Sequence, residues 1–580
     1  MLNKNSIRIL FLALSLAFTA CQKDKLDNVQ INLIPKDIDL TPSAVRIIDL
    51  YGLNHVKANG DSLTNFSPPV TGEVFRFPAT AYFPGDGRFG NHWWSDNNID
   101  GKVGAIWNIP KKLFKQDGSI DLEFYNLTLG GTIDEFAAYS IKNSDSPRDH
   151  YVSPFHTYAY GGSSYFVEVP RETSAPKEGH FKIRLLNLSA PVSTPVAAYG
   201  QLEDLTGPMT LTYADGSAVD AKTNAVAIGK ASEYVEIPYG TYQFKALTQT
   251  NKIVPGTSGN MTYRTIDPGT SSIAISRFEP SDVIYSSIQT FQPGGIYTIV
   301  ITPMSFEYFR NELGYKYMLK QNAITVIADV AEPINTSLFR VQGFNATPDK
   351  KIRFSANGKE IGSTVPFAQS TSYSSFTPSE QAFEIKDENG TVLDKLTYIA
   401  RPNENYTLWS YPDPQGQIKI GLTVNNLSAL KPIAGIEADG TYAYTKNSFP
   451  TDFRFVNLCP DIPYLSVTAD DGQPLGEKGN KAVYNLQLGS FTTTAPYIRT
   501  TFKQLMAYRS APGVIPGTWA EDIPVLHGPD LIANKNLYQR IGKVLPPYEP
   551  GIYTIALIGR TGPNVPNSQK ARLVILKHNK

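Results

Sequence analysis

Phe453-Arg454-Phe455-Val456-Asn457-Leu458 sets apolar side chains around one arginine, then a polar residue and a last apolar one, and three similar stretches precede it in the chain. These are Val45-Arg46-Ile47-Ile48-Asp49-Leu50, Ile183-Arg184-Leu185-Leu186-Asn187-Leu188 and Phe339-Arg340-Val341-Gln342-Gly343-Phe344. Four starts in 580 residues mark a repeated module. Each is followed by Asn-Gly or Asp-Gly, at Asn59-Gly60, Asp215-Gly216, Asn357-Gly358 and Asp471-Gly472, the dipeptides that supply positive φ angles to tight hairpins. Eighteen residues separate Arg340 from Gly358, and eighteen separate Arg454 from Gly472, which makes the third and fourth stretches the most regular pair. A third landmark, Gly295-Ile296-Tyr297-Thr298-Ile299, Asn405-Tyr406-Thr407-Leu408 and Gly551-Ile552-Tyr553-Thr554-Ile555, reads as a strand whose tyrosine hydroxyl ties back to the backbone. Arg184, Arg340 and Arg454 read most simply as solvent-facing or edge-strand charges.

The composition agrees, with 44 Gly, 42 Pro and 61 Phe plus Tyr against 6 Met. Short strands, frequent turn residues and no long helical periodicity predict an all-β fold of several β-sandwich domains in series. The expected limits are residues 45–178, 179–334, 335–433 and 434–580, the first being divergent and aromatic-rich.

Ahead of these modules, MLNKNSIRILFLALSLAFTACQKDKLDN carries Lys4 and Arg8 before a short apolar run, as an export signal over residues 1–20 does. Phe18-Thr19-Ala20-Cys21 resembles a bacterial lipobox, with Cys21 as the acylated residue. The following Gln22, Lys23 and Asp24 resemble the tether of surface lipoproteins of the Bacteroidetes phylum. Residues 21–44 are then a lipid-anchored tether, and the resemblance implies an outer-membrane protein held by its acyl chains and displayed on the cell surface. Without residues 1–20 the chain has 51 basic and 53 acidic residues, too little positive field for nucleic acid. Cys459 has no second cysteine to pair with once Cys21 is acylated, and its apolar setting predicts a buried thiol.

The second, third and fourth modules also resemble the repeat units of a bacterial cell-surface family known as domain of unknown function 4397. The turns Leu188-Ser189-Ala190-Pro191, Ala346-Thr347-Pro348-Asp349 and Leu458-Cys459-Pro460-Asp461 carry the likeness, with Val235-Glu236-Ile237-Pro238-Tyr239-Gly240-Thr241-Tyr242. That resemblance spans roughly Phe181 to Lys580 and implies an immunoglobulin-like sandwich without assigning an activity. The first module departs from it after Gly60.

Candidate chemistry gathers in the first module. Asp96, Asn98 and Asp100 precede a glycine as in a calcium loop, but Trp107 stands where the bidentate Glu belongs, so calcium would need a carboxylate such as Asp117, Asp121 or Glu123. Trp93, Trp94 and Trp107 offer planes that stack on sugars, with core packing as the competing account. Asp149-His150 with His156 is the one local His cluster that could orient a base or hold a metal, and its Ser/Pro/Tyr-rich setting reads most simply as a solvated loop. No Gly-x-Ser-x-Gly, His-Glu-x-x-His, phosphate loop or Cys-x-x-Cys occurs. The expectation is a non-enzymatic surface lipoprotein that binds a glycan, protein or matrix ligand or builds a surface layer. The alternatives are a secreted polysaccharide-active hydrolase and an accessory lipoprotein of an outer-membrane glycan importer.

Overall fold

The computed structural model describes residues 38–50, 53, 55–66, 80–83, 89, 105–127, 133–154, 164–191, 204–254, 288–310, 315–330, 335–425, 427, 451–475, 483–492, 502–538, 549 and 551–580. Among the described residues the regular structure is β-strand with short 3-10 turns, and no α-helix occurs. The fold is all-β and multi-domain, in many separate sheets. Two compact units divide the chain, one of residues 1–92 with 104–150 and the other of 93–103 with 151–580.

In the first unit the opening strand Pro42–Asp49 pairs antiparallel with Ala105–Pro110. A second sheet runs Asp61–Ser62, His55–Ala58, Ser119–Leu127, Ile133–Lys142. In the third module, within residues 335–425, one sheet runs Ser374–Phe376, Phe339–Asn345, Asn405–Pro412, Ile418–Val424, and the other Lys359–Glu360, Arg353–Ala356, Glu380–Lys386, Val392–Ile399. The second sheets match strand for strand. Asn59 and Asn357 even make the same bonds, each side-chain oxygen accepting from a backbone N–H of the facing strand, that of Asp121 or of Ala382. The first module therefore keeps the common frame beyond Gly60. Both asparagines sit at positive φ, +53° and +47°, before glycines at +89° and +78°, so these two landmarks are the expected hairpins. The fourth landmark is instead a 3-10 turn, Asp470–Gly472.

In the second unit each opening strand pairs in parallel with the tyrosine strand of its own module, His180–Asn187 with Ile296–Arg310, Phe339–Asn345 with Asn405–Pro412, and Thr451–Asn457 with Gly551–Ile558. The register aligns the repeats. Tyr297 faces Ile183, Tyr406 faces Val341 and Tyr553 faces Phe453. Arg184 and Arg454 thus correspond to Gln342, and Arg340 stands two residues earlier, so the shared eighteen-residue interval equates residues that occupy different places. Gly343 takes the place of Leu185 and Phe455. A Cβ there would meet the Phe354 ring at 2.2 Å, so the ring fills the core in place of a side chain on the strand.

The true invariant of the frame is Asn187, Asn345 and Asn457. Asn187 Nδ2 donates to the carbonyls of Gly207 and Val226, Asn345 Nδ2 to those of Lys350 and Val365, and Asn457 Nδ2 to those of Ile462 and Leu486. Each Oδ1 accepts the N–H two residues on, from Ser189, Thr347 or Cys459. One amide side chain thereby satisfies three buried backbone groups at the crossing between sheets. The tyrosines behave as expected: Tyr297 and Tyr406 hydroxyls accept from Gln292 and Arg401 N–H at 3.0 Å, and Tyr553 donates to the Glu549 carbonyl at 2.7 Å.

The arginines do not face solvent. Arg46, Arg184, Arg340 and Arg454 are all buried. Arg184 Nε donates to Thr298 Oγ1 at 2.8 Å and its Nη1 to the Pro170 carbonyl, with the guanidinium over Tyr234. Arg340 donates to Asn405 Oδ1 and the Tyr239 carbonyl, and Arg454 to Asn425 Oδ1 and the Val424 carbonyl. Each reaches a carbonyl that precedes its own module in the chain, because the outer faces of these sheets are covered by neighbouring segments. Phe344 and Trp409 of the third module pack against Val456, Leu458, Ala556 and Ile558 of the fourth. Leu247 and Ile253 of the second pack against Ile532, Leu537 and Tyr538 of the fourth. The three modules follow one another in sequence and interlock in space.

Asn345→Ala removes both donors to the Lys350 and Val365 carbonyls and leaves buried groups unmet, each costing about 1–3 kcal/mol. A loss of more than about 2 kcal/mol in urea unfolding is expected, and a loss under 0.5 would show that water replaces the amide.

Candidate functional site

Trp107 is the one expected stacking residue that lies among the described residues. It is 8% exposed and packs at 5.8 Å from Phe83 and 5.9 Å from Phe89. A ring enclosed in this way serves the core, and Trp107 presents no face to a sugar. Trp93 and Trp94, the loop residues Asp96, Asn98 and Asp100, and Cys21 with Gln22, Lys23 and Asp24 lie outside the described residues.

The carboxylates considered as further calcium ligands are engaged elsewhere. Asp117 accepts from the Ser119 N–H and hydroxyl, which with nearby Lys142 hold its carboxyl down at about 2. Asp121 pairs with Lys115, and Glu123 with the Tyr125 hydroxyl and Lys57. Asp149, expected in a solvated loop, is buried on the strand Arg148–Pro154 and receives Arg46 in a two-pronged pair, Nε at 2.8 Å and Nη2 at 2.7 Å. His150 is buried on that strand and His156 lies outside the described residues. Among the described residues no three His, Cys, Asp or Glu side chains are grouped as metal ligands. Cys459 is buried, and burial pushes its thiol up to about 12, so it packs as a small apolar residue.

A buried ionic set in the second unit has the composition of an active site. Lys245 and Glu549 are fully enclosed and in contact. Lys245 also donates to the Ala214 carbonyl, the Tyr538 hydroxyl donates to Glu549 Oε1 at 2.8 Å, the Ala533 N–H to Oε2 at 3.0 Å, and Lys577 lies 3.4 Å from Oε2. Burial alone would raise the Glu549 carboxyl, but Lys577 and Lys245 outweigh it and hold it at about 2. With the Lys245 and Glu549 side chains both fully enclosed, the set joins Lys245 of the second module to Glu549 and Lys577 of the fourth.

The accessible candidate is the outer strand Val514–Trp519 of the fourth module. Its sheet runs Leu486–Gln487, Tyr464–Ala469, Gln504–Ala511, Val514–Trp519. Val514, Ile515 and Trp519 are 52%, 44% and 43% exposed, three of the eight large apolar side chains exposed among the described residues. Such concentration on one six-residue strand distinguishes it from scattered surface residues. Trp519 stands directly opposite Tyr508, so both rings share one face. Gly517, at φ +99°, lets the strand close on its neighbour, since a Cβ there would meet the Arg509 carbonyl at 2.2 Å. Arg509 and Asp522 form a two-pronged pair beside it, at 2.7 and 2.8 Å. Pro516 has no N–H, which blunts this edge as a template for an added strand and leaves recognition to side chains. In sequence, Trp519 carried no signal beyond being a lone aromatic after Gly-Thr.

Two outcomes follow from these environments. Glu549→Gln leaves Lys245 as a buried unpaired charge and is expected to cost about 3–5 kcal/mol in chemical denaturation. In the intact chain, a carboxyl depressed from 4.5 to about 2 stabilises the fold above about pH 4.5, and that contribution is lost as pH falls from there toward 2. Steeper acid unfolding of the parent than of Glu549→Gln over that window is the expected reading. Trp519→Ala should change stability by less than about 0.5 kcal/mol, against about 3–5 for Trp107→Ala. No family model and no curated protein matches this chain.

Proposed function

We propose that the chain is a non-enzymatic, lipid-anchored protein of the outer-membrane surface that binds a glycan, protein or matrix partner through its fourth module, in adhesion. The observation that carries this reading is the exposed strand Val514–Trp519, with Trp519 opposite Tyr508 on one sheet face. Aromatic planes bind apolar faces of sugars and of protein side chains alike, and a ring already exposed needs no rearrangement to do so. The lipobox at Cys21 and the tether Gln22-Lys23-Asp24 support the location. The recurring motifs between Phe181 and Lys580 support an immunoglobulin-like sandwich of the domain of unknown function 4397 type for the repeated modules.

Soluble residues 29–580, applied to a glycan and matrix-protein array, should give a saturable ligand whose binding falls at least tenfold in Trp519→Ala with an unchanged melting temperature. Equal binding by the variant would remove the fourth module from the reading. Separately, Cys21→Ser should abolish lipid labelling and release the chain from the membrane fraction; labelled, membrane-bound variant would overturn the anchor.

A further inference from the structure

His578 follows the last strand of the fourth module, Arg572–Lys577, and is buried where that module meets the third. Its Nε2 lies 2.7 Å from Thr554 Oγ1, and its Nδ1 lies 3.2 Å from the Tyr373 hydroxyl and 3.5 Å from Gln342 Nε2. Tyr373 already accepts from Asn425 Nδ2 at 2.8 Å, so its own proton points to the imidazole. Burial pushes that phenol up to about 12, which keeps the proton in place. Gln342 Nε2 is likewise a donor, held by Thr407 Oγ1 at 3.1 Å. This network assigns the tautomer with Nε2–H donating to Thr554 and a lone pair at Nδ1 facing two donors. A proton on Nδ1 would meet donors where it needs an acceptor.

The charges around it have the same sign. Arg340 from the opening strand of the third module and Arg454 from that of the fourth both act on the imidazole electrostatically, and the titratable Tyr373 lies against it. Arg340 is buried on neutral acceptors, Asn405 Oδ1 and the Tyr239 carbonyl, between the rings of Tyr239 at 5.3 Å and Tyr373 at 4.6 Å. Lys577, the preceding residue, is taken up by Glu549. Burial first, then Arg454 and Arg340, hold the imidazole well below its usual range.

The segment that carries His578 also stitches three modules. Asn579 Oδ1 accepts from the Ile552 N–H and its Nδ2 donates to Gln243 Oε1, while the Lys580 N–H donates to the Thr241 carbonyl and the Gln243 N–H to the Lys580 carbonyl. We propose that His578 is an acid-sensitive lock, which as a neutral imidazole holds the second, third and fourth modules together and on protonation releases the junction between them. The sign is fixed by linkage: a histidine neutral in the fold and protonated when unfolded stabilises the fold above about pH 6.5 and loses that contribution as pH falls below it.

The test uses the full chain and follows thermal and urea unfolding between pH 7.5 and 5.0, with His578→Gln as the comparison, since an amide keeps a donor for Thr554 without a titrating proton. The expected result is that the unfolding constant of the parent rises about tenfold per pH unit more than that of the variant below pH 6.5. Equal pH dependence in the two proteins would overturn the proposal. A second measurement serves should the variant fail to fold. Imidazole NMR shifts of His578 in the parent should remain those of the neutral ring at pH 5.5 in the folded state, and a folded imidazolium at pH 6 would overturn the proposal equally.

Discussion

The opening strand of each module in the second unit is buried on both faces. A strand with one solvated face tolerates any polar residue outward, whereas one covered on both sides must satisfy every polar atom from protein. That constraint explains the residues it carries. Inward positions such as Ile183, Val341 and Phe453 fill the core between the two sheets of a module. Outward positions such as Arg184, Gln342 and Arg454 find threonines on the paired tyrosine strand, or carbonyls and amides of neighbouring segments. The terminal asparagine closes three backbone groups where the strand leaves the sheet.

From this the mode of assembly follows. Modules stacked through apolar patches alone could slide, as one flat sheet over another. Directional bonds from Arg340 to the Tyr239 carbonyl and from Arg454 to Asn425 fix one register, as does the contact of Lys245 with Glu549. Buried ion pairs add little net stability, since desolvation roughly offsets attraction, but breaking one leaves an isolated charge at a cost of about 3–5 kcal/mol. Misaligned arrangements of these modules would suffer that cost at several places together. The polar joints therefore select an arrangement whose stability comes from the apolar cores.

Local features of this fold were legible in the sequence and long-range ones were not. Asn59-Gly60 and Asn357-Gly358 are hairpins because their conformation is set by the two residues themselves, and Tyr297, Tyr406 and Tyr553 bond to backbone four or five residues upstream. Cys459 is buried as its apolar neighbours imply. The arginines read as surface charges because burial of an arginine depends on partners far along the chain, Asn405 for Arg340 and Asp149 for Arg46. Aligned on its arginine the third repeat falls two residues out of register, because the structural invariant is the asparagine that follows, Asn187, Asn345 or Asn457. The aromatic crowd of the first module has the composition of a binding surface, yet its described tryptophan, Trp107, packs in that module's core.

The same contrast bears on where function resides. Of the five tryptophans, Trp107 and Trp409 are buried, and Trp409 has its indole N–H donated to Thr423 Oγ1 at 3.0 Å, as an enclosed indole requires. Trp519 has 43% of its surface in solvent and lies on a strand that also exposes Val514, Ile515 and Thr518. Exposing a tryptophan forgoes about 1.5–3 kcal/mol of burial, a loss that packing against the sheet could have avoided. The sheet beneath it belongs to a module tied to its neighbours by Glu549 and His578, so the exposed strand rides on a rigid base. A partner that covers Trp519 would recover the forgone burial with little ordering of the protein, which is the condition under which a small surface gives useful affinity.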